Sequence, residues 1–253
     1  MSIPILKSNY RKGSRGKSIR LIQELLCLNG PYLEVDGDFG SATDYAVRLF
    51  QMKNRLPVSG IVNKSVFDSL IQPLKRAEAS LSPGRKTLGQ VMVALAKQHL
   101  KENPREIGGQ NMGLWVRLYM NNNQGAQWPW CAGFVCHLME TACRILGLSK
   151  PIKSSFSCDF LAGEAKRKGL FLKEPAAAGR SKITPGSIFL QRRTATDWTH
   201  TGLVVETDGK VFHTIEGNTN DGGSREGYEV CRRIRGFRKK DFILIDGQKA
   251  ISD

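Results

Sequence analysis

Apolar positions recur at helical spacing through the first part of the chain. Ile19, Ile22, Leu25 and Leu26 form one stripe, Ala42, Ala46, Leu49 and Phe50 a second, and Val66, Phe67 and Leu70 a third. Three short helices are predicted within residues 5–71. The joints between them are Val35-Asp36-Gly37-Asp38-Phe39-Gly40 and Pro57-Val58-Ser59-Gly60-Ile61-Val62. Each is a glycine turn with apolar flanks that feeds a helix, so the unit repeats weakly on itself; Ser41 or Thr43 can cap the second helix. Residues 72–87 carry Pro73 and Pro83-Gly84 without a sustained period and read as a linker. Helical periods return over residues 87 to about 101, 113 to 120, and 129 or 130 to about 146. After residue 180 the pattern becomes short β-branched or alternating runs at 187–190, 202–206, 211–215, 229–234 and 242–245, separated by Gly or Asp turns. Helices followed by antiparallel strands give an α+β fold class: a small three-helix unit over 1–71 and a larger unit over 88–253.

Composition narrows the function classes. Of 253 residues, 40% are hydrophobic and 24% charged, which is ordinary globular usage and excludes a disordered or coiled-coil chain. The longest apolar run, about six residues at 91–96, falls far short of the roughly 20 of a membrane span. The start Met1-Ser2-Ile3-Pro4-Ile5-Leu6-Lys7 has neither a basic n-region nor a long apolar h-region, so synthesis in the cytoplasm without a signal peptide is expected. Cys27, Cys131, Cys136, Cys143, Cys158 and Cys231 show no CxxC or Cys/His zinc spacing; free thiols are expected, with no metal site and no cofactor. The net charge of +15, with +4 up to residue 71 and +11 beyond it, implies an anionic partner. Its densest run is Arg232, Arg233, Arg235, Arg238, Lys239 and Lys240. No aromatic interleaving accompanies it, so it reads as a solvated basic face rather than a nucleic-acid site.

One stretch has a family resemblance. Gly13-x-x-Gly16-x-x-Ile19-x-x-Ile22-Gln23-x-x-Leu26, then Asp36-Gly37-x-Phe39-Gly40-x-x-Thr43-x-x-Ala46-Val47-x-x-Phe50-Gln51 and Gly60-Ile61-Val62, resembles the three-helix peptidoglycan-binding domain appended to many wall hydrolases. The resemblance implies bacterial peptidoglycan as partner. Phe39, Val47, Phe50 and the glycines are then fold-determining, and polar positions at the loop, Asp36 and Asp38, are the ligand candidates.

The chemistry points elsewhere in the chain. Trp128-Pro129-Trp130-Cys131 places Cys131 in the first turn of a helix, where unpaired N–H groups and the helix dipole favour a thiolate nucleophile. Cys136 and Cys143 lie about 140° around that helix and read as buried and inert. Cys27, Cys158 and Cys231 read as small core hydrophobes. A thiolate needs a base, and His200 stands at the mouth of a strand in Trp198-Thr199-His200-Thr201-Gly202-Leu203. One strand later, Glu216 or Asn218 can accept the imidazole Nδ1–H and hold the tautomer. Cys on a helix, His on a strand and an acceptor on the next strand is the order of papain-like hydrolases. His99 and His137 fall inside helices and read as structural or surface groups; His213, also in a strand, lacks the Gly-then-apolar run that follows His200.

Together, Glu106-Ile107-Gly108-Gly109-Gln110-Asn111-x-Gly113-x-x-Val116-x-x-Tyr119, Pro129-Trp130-Cys131-Ala132-Gly133-Phe134-Val135, Pro185-Gly186, His200-x-Gly202-Leu203-Val204 and Glu216-Gly217-Asn218-Thr219 resemble the CHAP family of cysteine, histidine-dependent amidohydrolases and peptidases over about residues 88–245. One departure is Ser187, where members often carry Asp. The resemblance implies a papain-like fold and cleavage of wall amides, with Cys131 as nucleophile, His200 as base and acid, and Glu216 or Asn218 as orienter. The Cys131 N–H is one oxyanion donor, and Gln127 or Gln124 is the candidate second. Trp128, Trp130 and Trp198 crowd the site and can wall a cleft.

The expectation is a modular peptidoglycan hydrolase: a monomeric amidase or endopeptidase that acts on the wall, concentrated there by its charge on anionic wall polymers. A phage endolysin is favoured over an injected antibacterial effector. The rivals are a non-catalytic wall-binding or virion protein, an amidase of small amides, and a nucleic-acid binder.

Overall fold

The structure, a computed structural model, describes residues 4–30, 32–220 and 227–247. The three apolar stripes form α1 (Lys17–Leu28), α2 (Ser41–Lys53) and α3 (Lys64–Leu70) around a buried centre that includes Ile22, Leu26, Val47, Phe50 and Leu70. The weak repeat has a physical basis in two buried glutamines. Gln23 on α1 donates to the Asp36 carboxylate (2.7 Å) and accepts from Gly37 N (2.8 Å); Gln51 on α2 donates to Ile61 O (3.0 Å) and accepts from Ser59 N and Gly60 N, both at 3.0 Å. Each glycine turn thus has its backbone polar groups satisfied from the preceding helix.

Residues 72–87 differ from the linker expected. Gln72–Ala77 form α4, started by Pro73 in the first turn, and Leu74 and Ala77 are buried. With Ile71 they make a stripe too short to register as a period, and they carry the core of the first unit onto α5 (Leu88–Lys101). A capping box, Thr87 with Gln90, starts α5. It is followed by α6 (Leu114–Tyr119), α7 (Cys131–Leu146) and α8 (Cys158–Arg167). Helix α8 was not expected from the sequence: it is a ten-residue helix capped by Ser157 that buries Cys158, Leu161, Ala162, Glu164 and Ala165, so two of its five buried positions are not aliphatic.

The strands are β1 (Phe171–Leu172), β2 (Ile188–Thr194), β3 (Asp197–Thr207), β4 (Phe212–Thr219), β5 (Glu229–Arg235) and β6 (Lys240–Ile243). They pair antiparallel in one sheet of order β1-β6-β2-β3-β4-β5. The fold class is α+β. Helix α7 lies against β3 and β4, and α8 against β3 and β1, so two helix N-termini and the middle strands meet at one place. A second apolar cluster, Phe189, Val204, Phe212, Phe237 and Phe242, involves the same sheet. The larger core is continuous from α1–α4 through α5–α8 to the sheet. A bidentate ion pair of Arg117 on α6 with Glu24 on α1 also joins the two units. No helix among the described residues is long and apolar enough to cross a membrane.

Candidate active site

Helix α7 opens directly on Cys131; Trp130 at its N-cap supplies no side-chain acceptor, so the first-turn N–H groups keep their pull on an anion. Strand β3 brings His200 and the Thr201 N–H to the Cys131 sulfur, and both hydrogen-bond to it. The other edge of the imidazole, Nε2, lies 2.8 Å from Glu216 Oε2 on β4. This corrects the expected contact at Nδ1: Glu216 arrives from the sheet side at the distal ring nitrogen, which leaves the proximal one to the helix bearing Cys131. Gly202 makes that route possible. A Cβ there would stand 2.6 Å from Glu216 Cγ and 2.8 Å from Phe189 Cε1, so any larger residue closes the path of the carboxylate.

Glu216 is fully buried and fully engaged. Arg235 of β5 donates to it twice, Nε to Oε1 (2.8 Å) and Nη2 to Oε2 (2.6 Å), and the Thr214 hydroxyl donates to Oε1. Burial pushes its pKa up, but Arg235 and His200 outweigh that and hold it at about 2. Burial in turn lowers His200, yet its bonds with Cys131 and Glu216 raise it to about 9. Cys131 is held well below the usual thiol range, first by a hydrogen bond from Cys158 and then by His200, against the desolvation of a buried group. Both shifts run in the direction that favours a thiolate–imidazolium pair backed by a carboxylate.

Cys158 corrects its assignment as a core hydrophobe. It is buried, but as the first residue of α8 it sets its thiol on Cys131, and its own pKa is pushed up by that contact and by burial. Asp159 Oδ1 accepts from Trp198 N (2.7 Å) and so ties this helix start to β3, two residues from His200. The available signal was Ser157-Cys158-Asp159, a capping triplet. Arg235 likewise leaves the solvated basic face, as does Lys240, which is buried. Cys136 and Cys143 are buried on α7 as expected, and burial raises both thiols.

Other candidates are placed differently. Asn218 sits at a bulge between Glu216 and Thr219 with φ of +55°, buried, its Oδ1 without a hydrogen-bond partner; the acceptor on His200 is Glu216. Trp130 and Trp198 do not line a cleft. Trp130 is fully buried, stacked on Tyr119 at 5.6 Å, with its indole N–H on Glu106 (2.9 Å); Trp198 is buried with its N–H on Asp241 (2.7 Å). Both are large rings whose single polar atom has an internal partner, as core packing requires. The half-buried ring is Trp128, edge-on to the exposed Phe156 at 5.9 Å, just ahead of the starts of α7 and α8. Gln124 is committed to Gly113 N (3.1 Å) and Arg117 (2.7 Å), whereas Gln127 is exposed on the turn before Cys131. In the first unit, Asp36 accepts from Asp38 N (2.8 Å) and closes its own turn, and Asp38 pairs with Arg15 at 3.3 Å.

Comparison with known proteins bears on the first unit. Residues 15–70 match the sequence profile of the family described as "Putative peptidoglycan binding domain". No curated protein matches the chain. Among solved structures, a fused Zn-dependent amidase/peptidase/peptidoglycan-binding domain-containing protein from Clostridium acetobutylicum is 35% identical over 24% of this chain and 28% of that one, with a TM-score of 0.24. The SleB N-terminal domain is 33% identical over 27% of this chain and 96% of that one, with a TM-score of 0.27. This chain thus spans just over a quarter of the length of the first.

Proposed function

We propose that this protein is a peptidoglycan hydrolase of the CHAP type, cleaving an amide of the wall peptide as an N-acetylmuramoyl-L-alanine amidase or an endopeptidase. The observation that carries the reading is the buried Cys131–His200–Glu216 relay on the same chain as a peptidoglycan-binding domain. The Cys131 thiolate attacks the amide carbonyl; the oxyanion forms at the free N–H groups of the α7 start; the proton held by His200 passes to the leaving amine. His200, now neutral, takes a proton from water, whose oxygen displaces the sulfur and releases the acid. Glu216, fixed as an anion by Arg235, keeps the imidazole oriented and stabilises its charged form. Cys158 is a positioning residue that donates to the sulfur, and Trp128 with Phe156 offers an aromatic wall for substrate. Two modules and a charge of +15 suit an enzyme concentrated on anionic wall polymers, such as a phage endolysin.

The test is turbidity of purified peptidoglycan with wild type and Cys131→Ala, followed by mass spectrometry of the fragments. Clearing should fall by about 10³-fold or more in the variant while sedimentation with the wall is retained. Clearing by the variant at the wild-type rate would refute the cysteine mechanism. Wall binding without clearing by wild type would leave a binding protein.

A further inference from the structure

We propose that Glu78, His99 and His137 form a zinc site that clamps the end of the peptidoglycan-binding unit to the helix carrying Cys131. The three residues come from the segment after α4, from α5 and from α7. Both imidazoles converge through Nε2 on one carboxylate oxygen, Glu78 Oε1, at 2.8 Å from His137 and 3.2 Å from His99. All three atoms lie within 4.8 Å of one another. Ligand atoms about 2.0–2.1 Å from a tetrahedral zinc stand roughly 3.3 Å apart, a separation that the two contacts to Glu78 approach. Two imidazoles and one carboxylate are also the donor set that selects zinc over calcium or magnesium.

The surroundings agree with a cation. His99 is fully buried, and His137 and Glu78 are largely buried beside it. His99 Nδ1 lies 2.9 Å from the Tyr119 hydroxyl. With the ring proton on Nδ1, that hydroxyl accepts it and Nε2 presents its lone pair to the ion, the outer-shell arrangement of zinc-bound histidines. A cavity of about 340 Å³, lined by His137 and Tyr119 among others, adjoins one of the three proposed ligands. Separations of 21 and 38 residues leave no motif, so the set is invisible in the sequence.

The inference does not depend on the hydrolase reading, and its readout is metal content. The full-length chain is stripped with chelator, reloaded with zinc, gel-filtered and analysed for metal; cobalt(II) is added to a second stripped sample. One zinc per chain is expected in wild type and in Cys131→Ala, with a tetrahedral cobalt spectrum free of thiolate charge-transfer bands. Glu78→Gln and His137→Gln should bind zinc at least about 100-fold more weakly with an unchanged far-UV CD spectrum. A folded wild type that retains no zinc overturns the proposal and leaves a hydrogen-bonded Glu–His–His cluster. So does zinc that follows Cys131, as a thiolate cobalt spectrum would show.

Discussion

Charge at Cys131 is decided by three neighbours, and each leaves a separable mark on the pH dependence of hydrolysis. The proposed mechanism needs the thiolate and the protonated imidazole together, so kcat/KM should follow a bell that belongs to the pair. Its alkaline limb should lie near 9, where His200 loses the proton owed to the leaving amine. Its acid limb should lie below the ordinary thiol range, where Cys131 gains a proton and stops being a nucleophile. Cys158→Ala removes the first cause of the lowered thiol and should move the acid limb up. Glu216→Gln removes one of the two charges, with Cys131, that raise His200, so it should bring the alkaline limb down and cut kcat by about 10²–10⁴-fold. Initial rates across pH decide the matter. A single limb at the ordinary thiol value would mean that no ion pair forms.

At the scale of elements, the site depends on how closely β2, β3 and β4 approach. Gly202 on β3 leaves space that the Glu216 side chain uses, beside the Phe189 ring of β2. Gly202→Ala should therefore cost about 1–3 kcal/mol of stability in urea unfolding and lower kcat more than it raises KM, because the carboxylate must move off His200. Gly163 on α8 is exposed, and a Cβ there meets nothing within 4 Å. Gly163→Ala should be stabilising by about 0.5–1 kcal/mol with unchanged kcat. Equal effects at both positions would argue that helix and strand propensity, rather than the route of Glu216, governs Gly202.

For the whole molecule, α4 and the Arg117–Glu24 pair turn two sequence modules into neighbours with one apolar interior. Scanning calorimetry should accordingly show one cooperative transition, since neither unit can open without exposing part of the shared core. Two well-separated transitions would show that the units are energetically independent despite that contact.

The α+β class, three helices of the first unit, the start of α7 and the strand bearing His200 were legible because periods of 3.6 and 2, glycine turns and caps are local properties. Cys131, His200 and Glu216 were legible as residue types in a workable order. Short elements with narrow apolar stripes, α4 and α8, were not. What only the tertiary structure decided is which groups share a low-dielectric space. It put Cys158 on Cys131, chose Glu216 over Asn218, drew Arg235 from a basic run onto the buried carboxylate and sent Trp130 and Trp198 into the core. The Cys131–Cys158, His200–Glu216 and Glu216–Arg235 contacts join residues 27, 16 and 19 positions apart, set by packing and desolvation rather than by any local pattern.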